Sequence, residues 1–195
     1  MERRNCTIQK PLVSSFIRLV HILKDQKNQF GIVSIALHWI VAIALIMILL
    51  SGRELANGNP NLSYDEILLV HARVAYLVLP FFLFRLYWRL RQGYPEFTIS
   101  KKLSHFIPPF QYLILISIFF SYLSCYFILN MDTNLWYLKQ ENIASMTTEI
   151  SIHTVVAKTA FLLIIIHIIA ASIQILFAKN VNARRMISLP DNEKT

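Results

Sequence analysis

The run from His153 to Phe177, HTVVAKTAFLLIIIHIIAASIQILF, sets the kind of fold open to this chain. It contains one charged residue, Lys158, and exceeds the ~20 residues an α-helix needs to cross a bilayer. Hydrocarbon leaves a backbone no water to bond, so spanning segments are helices or closed barrels; an unbroken apolar run of this length reads as a helix. It also carries two histidines, His153 and His167. Their spacing is close to four whole helical turns, so both rings leave one stripe of the helix, roughly 21 Å apart along its axis.

Three further runs of similar character precede it. The first span is expected from about Ile32 to Leu50, with His38 and Trp39 near its start. A loop from Ser51 to Glu66 follows, with Gly52, Gly58 and Pro60 as breakers. The second span is expected from about Ile67 to Trp88, with His71 one turn in and Pro80 as a kink. Asp65 and Glu66 precede it, where carboxylates suit the positive end of a helix, and Arg85, Arg89 and Arg91 close it. Gly93 and Pro95 mark a linker. The third span is expected from about Phe110 to Leu129, entered through Pro108-Pro109, and it holds no histidine. Trp136 and Tyr137 suit the depth of a membrane interface. With 55% hydrophobic residues and only four glycines, the chain reads as all-α, an integral membrane four-helix bundle. Residues 31–178 form the bundle, between a basic segment (1–30) and a basic tail (179–195). Within the first segment, Pro11 to Lys24 fits either a short interfacial helix, with Phe16, Leu19, Val20 and Leu23 on one side, or a disordered tail.

Lysine and arginine outnumber the acids by 19 to 11, and their placement decides what the excess means. They gather before the first span, between the second and third, and after the fourth (Arg3, Arg4, Lys10, Lys24; Arg85, Arg89, Arg91, Lys101, Lys102; Lys179, Arg184, Arg185). The other two loops hold Arg53 and Lys139 among Glu54, Asp65, Asp132, Glu141 and Glu149. By the positive-inside rule both termini face the cytoplasm. The net charge of +8 is thereby a topology signal, and nucleic acid is not the partner it points to.

Orientation turns the histidines into layers. His71 and His153 fall toward the periplasm, His38 and His167 toward the cytoplasm, and each pair draws on two helices. Two facing imidazoles at one depth, among apolar side chains, suit the axial positions of a haem iron. A zinc site would want three or four ligands at one depth, and neither pair has a cysteine or carboxylate to add. A proton relay of histidines stays open, though it does not explain the pairing. Cys6 and Cys125 are far apart and no C-x-x-C-H occurs, which excludes covalent c-type attachment. His21 and His105 have no depth-matched partner and read as non-ligands; His105 could line a quinone pocket. Trp39 reads as packing or interface. Arg73 and Lys158 lie within spans: they could hold haem propionates or draw in an anion, or they snorkel to the headgroups. Arg85 and Arg89 could hold propionates of the cytoplasmic haem or simply anchor that end of the helix.

Together, SIALHW (Ser34 to Trp39), His71, RLYWRL (Arg85 to Leu90), the His153/His167 spacing and FAKNVNARRM (Phe177 to Met186) resemble the bacterial cytochrome b561 family. The resemblance covers roughly residues 30–187. It implies a four-helix inner-membrane protein with two non-covalent haem b groups on His38, His71, His153 and His167. It further implies electron transfer across or within the membrane. One form is superoxide oxidation with ubiquinone as acceptor; the other is a cytochrome subunit relaying electrons between a dehydrogenase or hydrogenase partner and the quinone pool. The departures are a longer N-terminal segment, Phe119 and Tyr122 in place of a Pro-x-x-Gly late in the third span, and the cations Arg73 and Lys158.

Overall fold

The structure is a computed structural model that describes residues 19–58, 61, 63–96, 101–129, 147–176 and 184–187. Cys6, residues 11–18 of the proposed interfacial helix, Trp136 with Tyr137, and residues 177–183 of the tail motif lie outside that set. The chain is all-helical apart from an isolated bridge between Gln26 and Gln29, among the described residues. Four helices follow in order: α1 (Ile32–Asn57), α2 (Tyr64–Gln92), α3 (Lys101–Leu129) and α4 (Thr147–Leu176). All four are long and apolar enough to cross a membrane.

Each of the first three helices outruns its apolar stretch. α1 continues through Gly52, which is therefore no breaker, and stops at Gly58. There the backbone turns left-handed (φ 63°) and the Gly58 N–H closes onto the Glu54 carbonyl. α2 starts at Tyr64, with Asp65 and Glu66 in its first turn as expected and Arg89 and Arg91 in its last. α3 begins at Lys101, so Pro108 and Pro109 sit inside it and not at its entrance; Pro80 likewise sits inside α2. A proline removes one N–H, a loss that bundles in lipid absorb through neighbouring helices and hydroxyl side chains.

α1 packs along α2 and α3 along α4, whereas α2 and α3 only touch. The molecule is two helical hairpins laid together. Where they meet, every helix contributes to one core: Val41 and Ala44, Val78 and Phe82, Leu115 and Ile118, and Ala160. Small residues such as Ala44 and Ala160 let backbones approach, which matters where lipid removes the hydrophobic drive between helices. Side chains such as Ile43, Leu77, Phe161 and Ile169 point outward and suit acyl chains. Phe82 is 0% exposed and stacks on Tyr122 at 5.4 Å. Phe82→Ala should therefore cost about 3–5 kcal/mol, read as a lower unfolding midpoint in detergent. Phe82→Leu should cost clearly less; equal losses would mean that the stacked ring is not what holds the centre.

One end of the bundle gathers three separate pieces of chain. Residues 19–23 form a helical turn, and residues 26–29 a tight reversal. The Glu96 N–H donates to the Lys27 carbonyl (2.8 Å), Arg185 donates to the Glu96 carbonyl (2.8 Å), and Trp39 Nε1 donates to the Met186 carbonyl (2.9 Å). Residues 26–29, the link after α2 and residues 185–186 thus meet beside the first turns of α1.

Candidate functional site: two histidine pairs across the hairpins

Helical spacing on α4 separates His153 from His167, and the antiparallel hairpins bring each opposite a histidine of the other hairpin. His71 faces His153 with ring centroids 6.3 Å apart, and His38 faces His167 at 6.5 Å. All four are half-buried. Along the helices, the shared core of Val41, Ala44, Val78, Phe82 and Ala160 lies between the two pairs. His21 and His105 are exposed and belong to neither pair.

The His71/His153 pair is held by a repeated device. His71 Nδ1 lies 3.0 Å from both the Ile48 carbonyl and Ser51 Oγ on α1. His153 Nδ1 lies 3.2 Å from the Ser121 carbonyl and 3.0 Å from Ser124 Oγ on α3. A carbonyl can only accept, so Nδ1 carries the proton in both rings. Each serine hydroxyl spends its own hydrogen on a carbonyl of its helix, Ser51 on Met47 or Ile48 and Ser124 on Ser121. Each serine can therefore accept from the imidazole as well. Both tautomers leave the Nε2 lone pair for a ligand. Gly52 completes the seat: a Cβ there would stand 3.1 Å from Cε1 of His71.

The other pair is built differently. Arg85 Nη2 lies 2.8 Å from His38 Nδ1 and can only donate, so Nδ1 accepts. Arg85 Nη1 is buried and has no hydrogen-bond partner among the described residues. A buried guanidinium nitrogen without an acceptor is costly, and a carboxylate is its natural complement. Trp39 packs edge-on to His38 at 5.4 Å while holding the tail, in keeping with the packing role expected of it.

The remaining cations are placed as follows. Arg89 forms an ion pair with Asp25 at 3.2 Å. Arg73 is half-buried two positions beyond His71, so it leaves α2 on nearly the opposite side, about 200° round. Lys158 is exposed on α4. Sequence reasoning missed Ser51, Ser124, Gly52 and Asp25. The three-residue spacing of Ser121 and Ser124 within an apolar run was the one visible signal, since hydroxyls in such helices usually bond a carbonyl or a neighbouring helix.

Chemically, two imidazoles at this spacing can hold one metal ion between them. Two metal–nitrogen bonds of about 2.0–2.1 Å plus two ring radii of about 1.2 Å come to roughly 6.5 Å. Among the described residues no third histidine, cysteine or carboxylate joins either pair into a metal-ion cluster. Two facing imidazoles without a further protein ligand among the described residues are a donor set that suits a haem.

Four apolar helices with paired histidines facing across two hairpins make a bundle suited to holding a buried metal-bearing cofactor. Residues 29–189 match the prokaryotic cytochrome b561 family, and the chain belongs to it. It is accordingly a membrane b-type cytochrome of electron transfer, a multi-pass protein of the inner membrane that binds haem b. A search of curated proteins finds no match.

Proposed function

We propose that the chain carries two haem b groups, one on His71 and His153 and one on His38 and His167, and passes electrons between the two faces of the membrane. The observation that carries this is the pair of ring spacings, 6.3 and 6.5 Å, each near the roughly 6.5 Å of two imidazoles on one metal. Bound haem supplies the one-electron change of oxidation state. The chain's own residues do the rest. Ile48 with Ser51, and Ser121 with Ser124, fix the tautomer and orientation of one ligand pair and raise its basicity. Phe82 and Tyr122 keep water out of the space between the pairs. Were His38 to hold haem through Nε2 as a neutral imidazole, its proton would sit on Nδ1, which could then not accept from Arg85. On this reading the Arg85 fork, with its unmatched Nη1, serves a propionate carboxylate instead.

Charge placement supports cytoplasmic termini, which puts His71 and His153 toward the periplasm. Superoxide is then a fitting donor, drawn by the cations Arg73 and Lys158, with ubiquinone as acceptor. Two superoxide ions each lose one electron to become dioxygen; two electrons and two protons make ubiquinol. Inward electron flow opposes the membrane potential by about 2.3 kcal/mol per charge per 100 mV, so the donor must be strongly reducing.

The test is a superoxide pulse onto purified protein while the haem bands and quinol are followed. Rapid haem reduction with many quinols per protein is the expected result. Slow reduction without turnover would instead favour a relay subunit for a dehydrogenase or hydrogenase.

A further inference from the structure

We infer that Asp25, in the segment before α1, sets the electron affinity of the His38/His167 site by cancelling the charge of Arg89. The inference rests on the haem ligation proposed above and goes beyond it. Asp25 Oδ2 and Arg89 Nη1 stand 3.2 Å apart, and both side chains are 4% exposed. The other carboxylate oxygen, Oδ1, accepts the Gly31 N–H at 2.8 Å, which fixes the carboxylate at the start of α1. Gly31 itself abuts the Leu23 and Lys24 carbonyls so closely that a Cβ would collide with them.

Arg89 has other contacts, but none of them carries a charge. Nη1 donates to the Gly93 carbonyl at 2.6 Å. The guanidinium lies over the Phe30 ring at 5.1 Å and the Tyr94 ring at 4.5 Å. Burial pushes the Tyr94 phenol up to about 12, so it stays neutral beside the cation. Asp25 is thus the one anion paired with Arg89 among the described residues. One helical turn away, Arg85 reaches His38 at 2.8 Å. With Asp25 in place the Arg89 charge is cancelled; without it, that charge stands uncancelled beside the site.

An added electron lowers the charge of a haem by one, so a nearby uncancelled cation favours the reduced form. The charge acts over a distance because low-dielectric surroundings screen it weakly. The device gives the N-terminal segment a role at the redox site although it supplies no ligand.

Potentiometric titration of the visible spectrum tests this, with the His38/His167 haem assigned by its loss in His38→Ala. Asp25→Asn should raise the midpoint of that haem, and Arg89→Gln should lower it, because Asp25 then stands uncancelled. Asp25→Asn with Arg89→Gln should return it near the wild-type value, and Asp25→Glu should leave it there. The His71/His153 haem should not move in any of them. Single variants that shift the midpoint in the same direction, or move both haems alike, would show a merely structural clamp and overturn the inference. Should the single variants fail to accumulate, the double variant decides: a wild-type midpoint supports the inference and a displaced one overturns it. Wild-type protein without haem would overturn the ligand assignment itself, a result distinct from two haems that ignore Asp25.

Discussion

His71→Ala and His153→Ala are each expected to remove the same haem b, while His38→Ala and His167→Ala each remove the other. Haem per chain falls from two to one in every case, and the surviving spectrum is the same within a pair and different between pairs. The structure motivates this directly, with His71 and His153 6.3 Å apart and His38 and His167 6.5 Å apart. Loss of one member of a pair would leave that haem a single imidazole to hold it. Haem extracted and quantified against protein, with reduced-minus-oxidised spectra, reads the result. If the two members of a pair removed different haems, the pairing would be wrong.

Gly52→Val is expected to empty the His71/His153 site selectively, without touching any ligand. Replacing a helix-interior glycine normally helps a helix, by up to about 1 kcal/mol. Here the new Cβ would lie 3.1 Å from Cε1 and 3.5 Å from Nδ1 of His71. The ring cannot easily retreat, since its Nδ1 is held at 3.0 Å by both Ile48 and Ser51. Overpacking typically costs about 1–3 kcal/mol, which outweighs the helix gain once valine adds two methyl groups. Gly52→Ala, with one methyl, should fall near balance and weaken the site only in part. The check is haem content, together with the spectrum of the His38/His167 haem, which should be intact. A Gly52→Val protein with both haems in normal yield would show that the ring has room to move.

Much of this was legible in the sequence, for identifiable reasons. Helix existence follows from long apolar runs, and the spacing of His153 and His167 follows from helical rise. Depth matching of the four histidines follows once lysines and arginines are mapped onto the loops. Helix ends were less legible. Gly52 looks like a breaker beside Ser51 and Arg53, yet α1 runs through it to Asn57. Pro108 and Pro109 look like a start, yet α3 begins at Lys101. Least legible were the groups that orient and charge the site. Ser51 and Ser124 are ordinary residues in apolar helices, and their roles exist only once α1 meets α2 and α3 meets α4. Asp25 and Arg89 are far apart in sequence, and no periodicity links them. The arginines near the end of α2 look alike on paper, yet Arg85 reaches His38 while Arg89 is taken by Asp25.

The hairpin arrangement also governs the order in which this protein can be made. His38 and His71 lie on the earlier hairpin half of the chain, and His153 and His167 on the later half. Each proposed haem needs one from each half. A nascent chain that has inserted only α1 and α2 offers two single, unmatched imidazoles, and neither can hold iron from both sides. On that assignment cofactor capture would wait until α4 arrives and completes both sites at once. A truncated product lacking that last helix would be free of haem at both positions.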